Sequence, residues 1–276
     1  MKKLLLMGAI LMVGLGNQRI YANKMVQVKG SDTLLSISQY IAEKYMEKNK
    51  KARIAVTGGG SGVGISSLLN GTADIGMASR NIKESEIIKS KEKGLELEEV
   101  IMGYDGITIV TNKESSIKNL SSESLGKIYR GEIKNWKEVG GNDGEIVVLS
   151  RDSSSGTHEF FKDHIIRKGK AKGTEEYYEK TLYLPSNEAI KQEIQSNKNA
   201  IGYLGMGYVD NGVKSLNIDG ISATKENVLS KKYPIAREIY WYVSKNRTGD
   251  TKTIVEYALS PEGQKIVSDE GFVPVK

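Results

Sequence analysis

There is no cysteine anywhere in this sequence. That excludes disulfide staples, thiolate metal sites and a lipid-modified cysteine. There are only two histidines, His158 and His164. They stand six apart in one helical segment, without the His-x-x-x-His spacing of a helical metal site. Both read as surface positions, and neither a metal nor a cofactor is expected. Four prolines leave no Pro-rich linker. Gly-x-Gly-x-x-Gly, Gly-Lys-Ser/Thr and Gly-x-Ser-x-Gly are all missing, which argues against nucleotide phosphate loops and a serine-hydrolase elbow. Charge of one sign is scarce as well. Forty basic residues face 34 acidic ones, a formal +6. Residues 1–22 hold Lys2, Lys3 and Arg19 and no acid, so the remainder carries 37 basic against 34 acidic residues, or +3. That is too weak a field to argue for nucleic acid. Lysines and glutamates alternate in Lys44–Lys51 and Lys83–Glu99, as on solvated helix faces.

The one long apolar run is Leu4 to Leu15, behind Lys2 and Lys3 and ahead of the small residue Ala22. It reads as a secretory signal over residues 1–22, too short for a comfortable span. An uncleaved anchor is the alternative. The remainder is expected to be exported, soluble and periplasmic.

Beyond that segment the pattern alternates between strands and helices. Met25–Gly30 is a strand, and Asp32 or Thr33 can cap a helix from Leu34 to about Lys48, with Ile37, Ile41 and Tyr45 on one face. Arg53–Val56, Asp74–Met77 and Ile107–Val110 read as strands, with a short helix at Ile65–Leu69. This order fits a mostly parallel sheet with helices on its faces. A second unit starts near residue 112. It has helices at Ser121–Tyr129, Thr157–Arg167 and Pro185–Gln195, and strands at Ile146–Leu149 and Ile201–Leu204. Ile239–Val243 is a late strand. Thr251–Leu259 and Pro261–Val267 are helices, the second with proline at its start. Trp136 and Trp241 read as packing residues.

Three polar turns follow strands: Gly30-Ser31-Asp32-Thr33, Gly58-Gly59-Gly60-Ser61-Gly62-Val63-Gly64 and Arg151-Asp152-Ser153-Ser154-Ser155-Gly156-Thr157. In open α/β sheets ligands bind beyond the carboxyl ends of strands, so the three can converge. Each leads into a helix whose first amides lack helical partners and favour an anion. Hydroxyls add donors. Arg151 follows the buried-looking strand Ile146–Leu149, and a guanidinium fork matches phosphate oxygens. Asp152 is its expected salt-bridge partner. The alternative is a surface Arg–Asp turn with Ser153 as a helix cap.

With these turns, Ala73-Asp74-Ile75-Gly76-Met77-Ala78-Ser79-Arg80 and the C-terminal Ser260-Pro261-Glu262-Gly263-Gln264 and Gly271-Phe272-Val273-Pro274-Val275, the chain resembles the phosphate-binding proteins of bacterial phosphate ABC transporters. The likeness runs through the whole chain after the leader. It implies an α/β, type II periplasmic-binding-protein-like fold: two lobes, a ligand cleft and two crossover strands. Lobe 1 would be 24–111 plus 237–276, and lobe 2 would be 112–236. It implies a monomer that closes on inorganic phosphate and passes it to a membrane permease. The implied ligand set is Ser31, Asp32, Thr33 and Leu34 from the first turn, Ser61 from the second and Ser79 from the third motif. Arg151, Ser155, Gly156 and Thr157 complete it. Some family members carry an aspartate after the Ala-Ser of that third motif, as acceptor for the proton of hydrogen phosphate. Here Arg80 stands there, read as a surface or supporting residue, and Asp32 is the candidate replacement. Another oxyanion such as sulfate is the competing ligand, and a secreted phosphate-ester hydrolase is the competing class.

Overall fold

A computed structural model describes residues 24–170 and 173–275. The expected leader, 1–22, lies outside the described residues. Among the described residues no helix is long and apolar enough to cross a membrane.

The first half runs β1 (Val26–Gly30), α1 (Leu35–Lys48), β2 (Ile54–Thr57), α2 (Ser61–Leu69), β3 (Ile75–Ala78), α3 (Glu84–Glu92) and β4 (Leu97–Thr111). It continues through β5 (Asn119–Leu120), α4 (Ser122–Tyr129), β6 (Val147–Arg151), α5 (Gly156–Phe161), β7 (Leu182–Leu184), α6 (Asn187–Ser196) and β8 (Ala200–Gly205). The last part holds β9 (Lys214–Ser215), β10 (Asn217–Ile218), α7 (Lys225–Leu229), β11 (Ala236–Ser244), α8 (Gly249–Ala258) and α9 (Pro261–Asp269). Neither Asp32 nor Thr33 caps α1: a 3-10 turn at Asp32–Leu34 intervenes, and Leu34 is the cap position. Helix α2 starts at Ser61, inside the glycine-rich turn, because Gly60 takes a φ of 93° and turns the chain into it.

Two groups of strands are joined through the long strand β4. On one side β1 pairs in parallel with β2 and β3, and β11 runs antiparallel to β3 and β4. On the other, residues 107–111 of β4 pair antiparallel with β8, which is parallel to β6, itself parallel to β7. The parallel expectation therefore holds on the flanks. The centre is antiparallel because β4 and β11 carry the chain between the lobes in opposite directions.

Each lobe buries both faces of its strands, following the two-residue period. In β11, Ile239, Trp241 and Val243 pack with Ile37, Ile41 and Phe272, while Tyr240 and Tyr242 pack with Ile65 and Leu68. In β8, Ile201 and Tyr203 join Trp136 and Phe161, while Ala200 and Leu204 meet Ile190 and Ile194. Both tryptophans are core residues, each with its indole N–H bonded: Trp136 to the Asn199 carbonyl at 3.0 Å and Trp241 to Ser38 Oγ at 3.1 Å.

Candidate functional site

The ends of β1, β2, β3 and β6 meet where the lobes face each other. The three polar turns converge there, with the end of β3 as a fourth contributor. Ser31 Oγ donates to Ser79 Oγ at 2.9 Å, and the Ser79 amide donates to Ser61 Oγ at 3.0 Å. Thr33 and Thr157 join across the cleft, their hydroxyl oxygens 3.0 Å apart. Ser155 Oγ caps α5 by accepting from the His158 amide, which leaves its own proton free to donate. The Gly156 and Thr157 amides follow at the start of α5, where a helix has no internal acceptor to offer them. Ser31, Thr33, Ser61, Ser79, Ser155 and Thr157 are all buried. Leu34 contributes its side chain to the core, and its amide donates to the Ser31 carbonyl at 3.2 Å.

Arg151 is 1% exposed at the end of β6. Its Nη2 donates to the Pro185 carbonyl at 2.7 Å. Among the described residues, Nε and Nη1 have no hydrogen-bond partner, although Nη1 lies 3.3 Å from Asp32 Oδ2. The neighbour Asp152 is not its partner. Successive residues of a strand point to opposite faces, and Asp152 instead accepts from the Ser154 amide at 2.8 Å. The surface Arg–Asp alternative fails on burial. Asp32 Oδ2 also accepts from the Asn187 amide at 2.9 Å and its side-chain nitrogen at 2.6 Å, so this lobe 1 carboxylate caps α6 of the other lobe.

Arg80 corrects the surface reading. It is 6% exposed, makes a two-pronged pair with Glu86 at 2.8 and 2.9 Å, and its Nε stands 2.7 Å from Glu159 of α5. Lys83 pairs with the same Glu159. Burial would raise the Glu86 carboxyl, but the bonds from Arg80 and the Lys83 amide outweigh it and hold it below the usual range. His158 is also buried, with Nδ1 3.2 Å from Ser150 Oγ and its ring stacked on Tyr177 at 4.5 Å. Burial, helped by Lys162, pulls it below the ordinary histidine value. His164 is exposed, as expected.

Two residues that sequence reasoning missed lie beside the hydroxyls. Asp105 of β4 and Arg237 of β11 are direct cross-strand partners. Arg237 Nε and Nη2 both donate to Asp105 Oδ2, at 3.0 and 2.7 Å, and the pair is fully buried. Arg237 Nη1 donates to the Ser79 carbonyl at 2.7 Å, and Nη2 reaches Thr157 Oγ1 at 2.8 Å and Thr33 Oγ1 at 3.4 Å.

The lobes are in close contact. The Gly62 amide donates to the Ser154 carbonyl at 3.1 Å, and Ser154 Oγ to the Gly59 carbonyl at 3.0 Å. A Cβ on Gly156 would lie 2.2 Å from Ser61 Oγ, so only glycine permits this approach. Clefts of about 490 and 470 Å³ lie elsewhere, the second lined in part by Arg237. The site itself is a small, enclosed set of hydroxyls, amides and one incompletely bonded guanidinium. Its chemistry suits a compact oxyanion. Among the described residues no cluster of histidine and carboxylates could hold a metal ion.

The profile of the PBP superfamily domain matches residues 17–262. The chain is similar to the phosphate-binding protein PstS of Borreliella burgdorferi, with 33% identity over 92% of this chain and 91% of that one. It is 32% identical to that of Bacillus subtilis, over 92% and 82%. Among solved structures it resembles a Clostridium perfringens protein described as a phosphate ABC transporter substrate-binding protein with bound phosphate. The TM-score is 0.84 and identity 35%, over 91% of this chain and all of that one. An ABC-type phosphate transport receptor from Vibrio cholerae gives a TM-score of 0.74 and 31% identity, over 90% and 99%. The two-lobed, type II periplasmic-binding-protein-like fold is thereby established.

Proposed function

The chain belongs to the phosphate-binding protein PstS family of ABC transporter substrate-binding components, and from that membership we propose that it captures inorganic phosphate outside the cytoplasm and delivers it to a transporter permease. Arg151 carries the reading for this chain. A buried cation needs compensating charge and acceptors, because losing its hydration shell is costly. Two of its three nitrogens have no hydrogen-bond partner among the described residues, and hydroxyls from both lobes surround the site. An oxyanion supplies the missing acceptors.

In this reading Arg151 is the main charged ligand. Ser155, Thr157 and the Gly156 amide hold the anion from lobe 2, and Ser31, Thr33, Ser61 and Ser79 hold it from lobe 1. Asp32 and the Leu34 backbone brace the first turn. Lobe 1 is taken as 24–111 plus 237–276 and lobe 2 as 112–236; β4 changes pairing partner near Gly106, so the crossing between lobes starts a few residues before 111. Closure lets a permease tell loaded from empty protein. The protein acts as a soluble, exported monomer and a binder rather than a catalyst. Its Ser150–His158 contact is buried among Tyr177 and Tyr203.

Isothermal titration with phosphate, arsenate and sulfate, with and without chelator, tests this. One phosphate should bind per chain, independent of metal. No phosphate heat at millimolar ligand would remove the proposal, and a preference for sulfate would reassign the ligand.

A further inference from the structure

We propose that Arg237 is a positioning residue for the anion, orienting one threonine from each lobe and so coupling ligand capture to lobe closure; this rests on the phosphate reading above. A guanidinium has N–H donors and no acceptor. Any hydroxyl bonded to it must therefore accept through oxygen and direct its own proton elsewhere. Arg237 Nη2 is bonded in this way to Thr157 Oγ1 at 2.8 Å and approaches Thr33 Oγ1 at 3.4 Å. Thr157 opens α5 of lobe 2, and Thr33 lies in the first turn of lobe 1. Both hydroxyls are buried beside the ligand turns and lie 3.0 Å apart, so one proton closes the bond between them and the other is available to an oxyanion.

Asp105 fixes the arginine for this task. It occupies Nε and one side of Nη2, and its other oxygen accepts from the Met206 amide at 2.9 Å. The Ser79 carbonyl occupies Nη1. The guanidinium is thus held by partners just past β3, on β4 and on α5, at the point where β4 and β11 pass between the lobes. When the lobes part, Thr157 leaves with α5, while Asp105, Ser79 and Thr33 stay on the side of Arg237. The bond to Thr157 is therefore formed on closing. Nearby Arg151 adds to the burial that lowers the Arg237 guanidinium, in keeping with two cations sharing one small site. Asp105 offsets that second charge.

The test is phosphate titration of wild type, Arg237→Gln, Arg237→Lys and Arg237→Gln/Asp105→Asn, with circular dichroism as the folding control. Arg237→Gln loses the positive charge and the guanidinium fork and leaves Asp105 as an uncompensated negative charge beside the anion. Affinity should fall at least 30-fold. Removing that charge in the double variant should restore affinity at least tenfold. A pair serving only the fold would shift thermal stability in this pattern while the phosphate affinity of the folded variants stayed near that of wild type. Arg237→Lys keeps the charge without the fork and should bind about tenfold more weakly than wild type. It decides the matter if the glutamine variant does not fold. Glutamine or lysine variants within threefold of wild type, or a double variant weaker than Arg237→Gln, would overturn the proposal. Wild type that gives no phosphate heat removes the phosphate reading itself, a separate result.

Discussion

Replacing Gly156 by alanine adds one methyl group where the two lobes touch closely. Its Cβ would stand 2.2 Å from Ser61 Oγ, 2.9 Å from Ser79 Oγ and 3.0 Å from Ser61 Cβ. Ser61 can rotate its hydroxyl away, but the Ser79 amide then loses its acceptor. A buried amide left unpaired costs about 1–3 kcal/mol. The remaining contact with Ser61 Cβ still demands a shift of several tenths of an ångström, and overpacking of this kind costs about 1–3 kcal/mol. Together the closed form should lose about 2–6 kcal/mol, or roughly 30- to 20,000-fold in phosphate affinity. Fold stability should move the other way. Gly156 is the first residue of α5, and alanine in a helix is favoured over glycine by about 0.5–1 kcal/mol. Phosphate titration, thermal unfolding without ligand, and small-angle scattering with ligand read the three quantities. The variant should bind weakly, melt no lower than wild type, and stay expanded under phosphate. Affinity within threefold of wild type would refute the reasoning, because it would mean the lobes do not need this contact.

Arg151→Ala should weaken phosphate binding by at least about 2 kcal/mol, as expected when a buried charge loses its partner; Arg151→Lys should also bind more weakly, since an ammonium lacks the planar fork. Unchanged titration in either folded variant would remove Arg151 from the site. Glu159→Gln, which takes away the carboxylate shared by Arg80 and Lys83 across the cleft, should weaken binding about two- to fivefold and reduce its salt dependence, because a partly exposed pair contributes about 0.2–1 kcal/mol. Titration at two ionic strengths checks this, and a loss above 20-fold would mean Glu159 does more than latch the lobes. His158 has a folded pKa lowered by burial and by Lys162, so the unfolded chain takes up the proton first as pH falls. Stability should drop between the ordinary histidine value of about 6.5 and the lower folded value, by up to about 1.4 kcal/mol per pH unit. Urea midpoints at pH 8 and 5 for wild type and His158→Asn measure it, and an equal acid loss in both would refute it.

What was legible in the sequence was local, and what was missed was made by crossings. Ser31, Thr33, Ser61 and Ser155–Thr157 sit just past strand ends, where a glycine or serine turn leaves its mark within a few residues. Their convergence then follows from the α/β rule. Arg151 was found because it follows a short apolar strand and precedes three serines. Its partner was assigned wrongly because Asp152, adjacent in sequence, lies on the opposite face of an extended chain; Asp32, 119 residues earlier, is brought in by the other lobe. Arg80 has a local partner in Glu86, six residues on, and a non-local one in Glu159, which only the fold brings beside it. Arg237 carried a usable signal. It stands in phase with Ile239, Trp241 and Val243, all core-facing, so an arginine at that parity had to point inward and be paired. Asp105 is in phase with Ile107 and Ile109. There the pattern was broken by Gly103, by Gly106 and by the register shift opposite Ile239 and Tyr240. β4 was therefore read as four residues, Ile107–Val110, where the strand has fifteen. Parity alone would have drawn attention to both charges. Only the antiparallel pairing of β4 with β11 makes them one ion pair at the point where the chain crosses between the lobes.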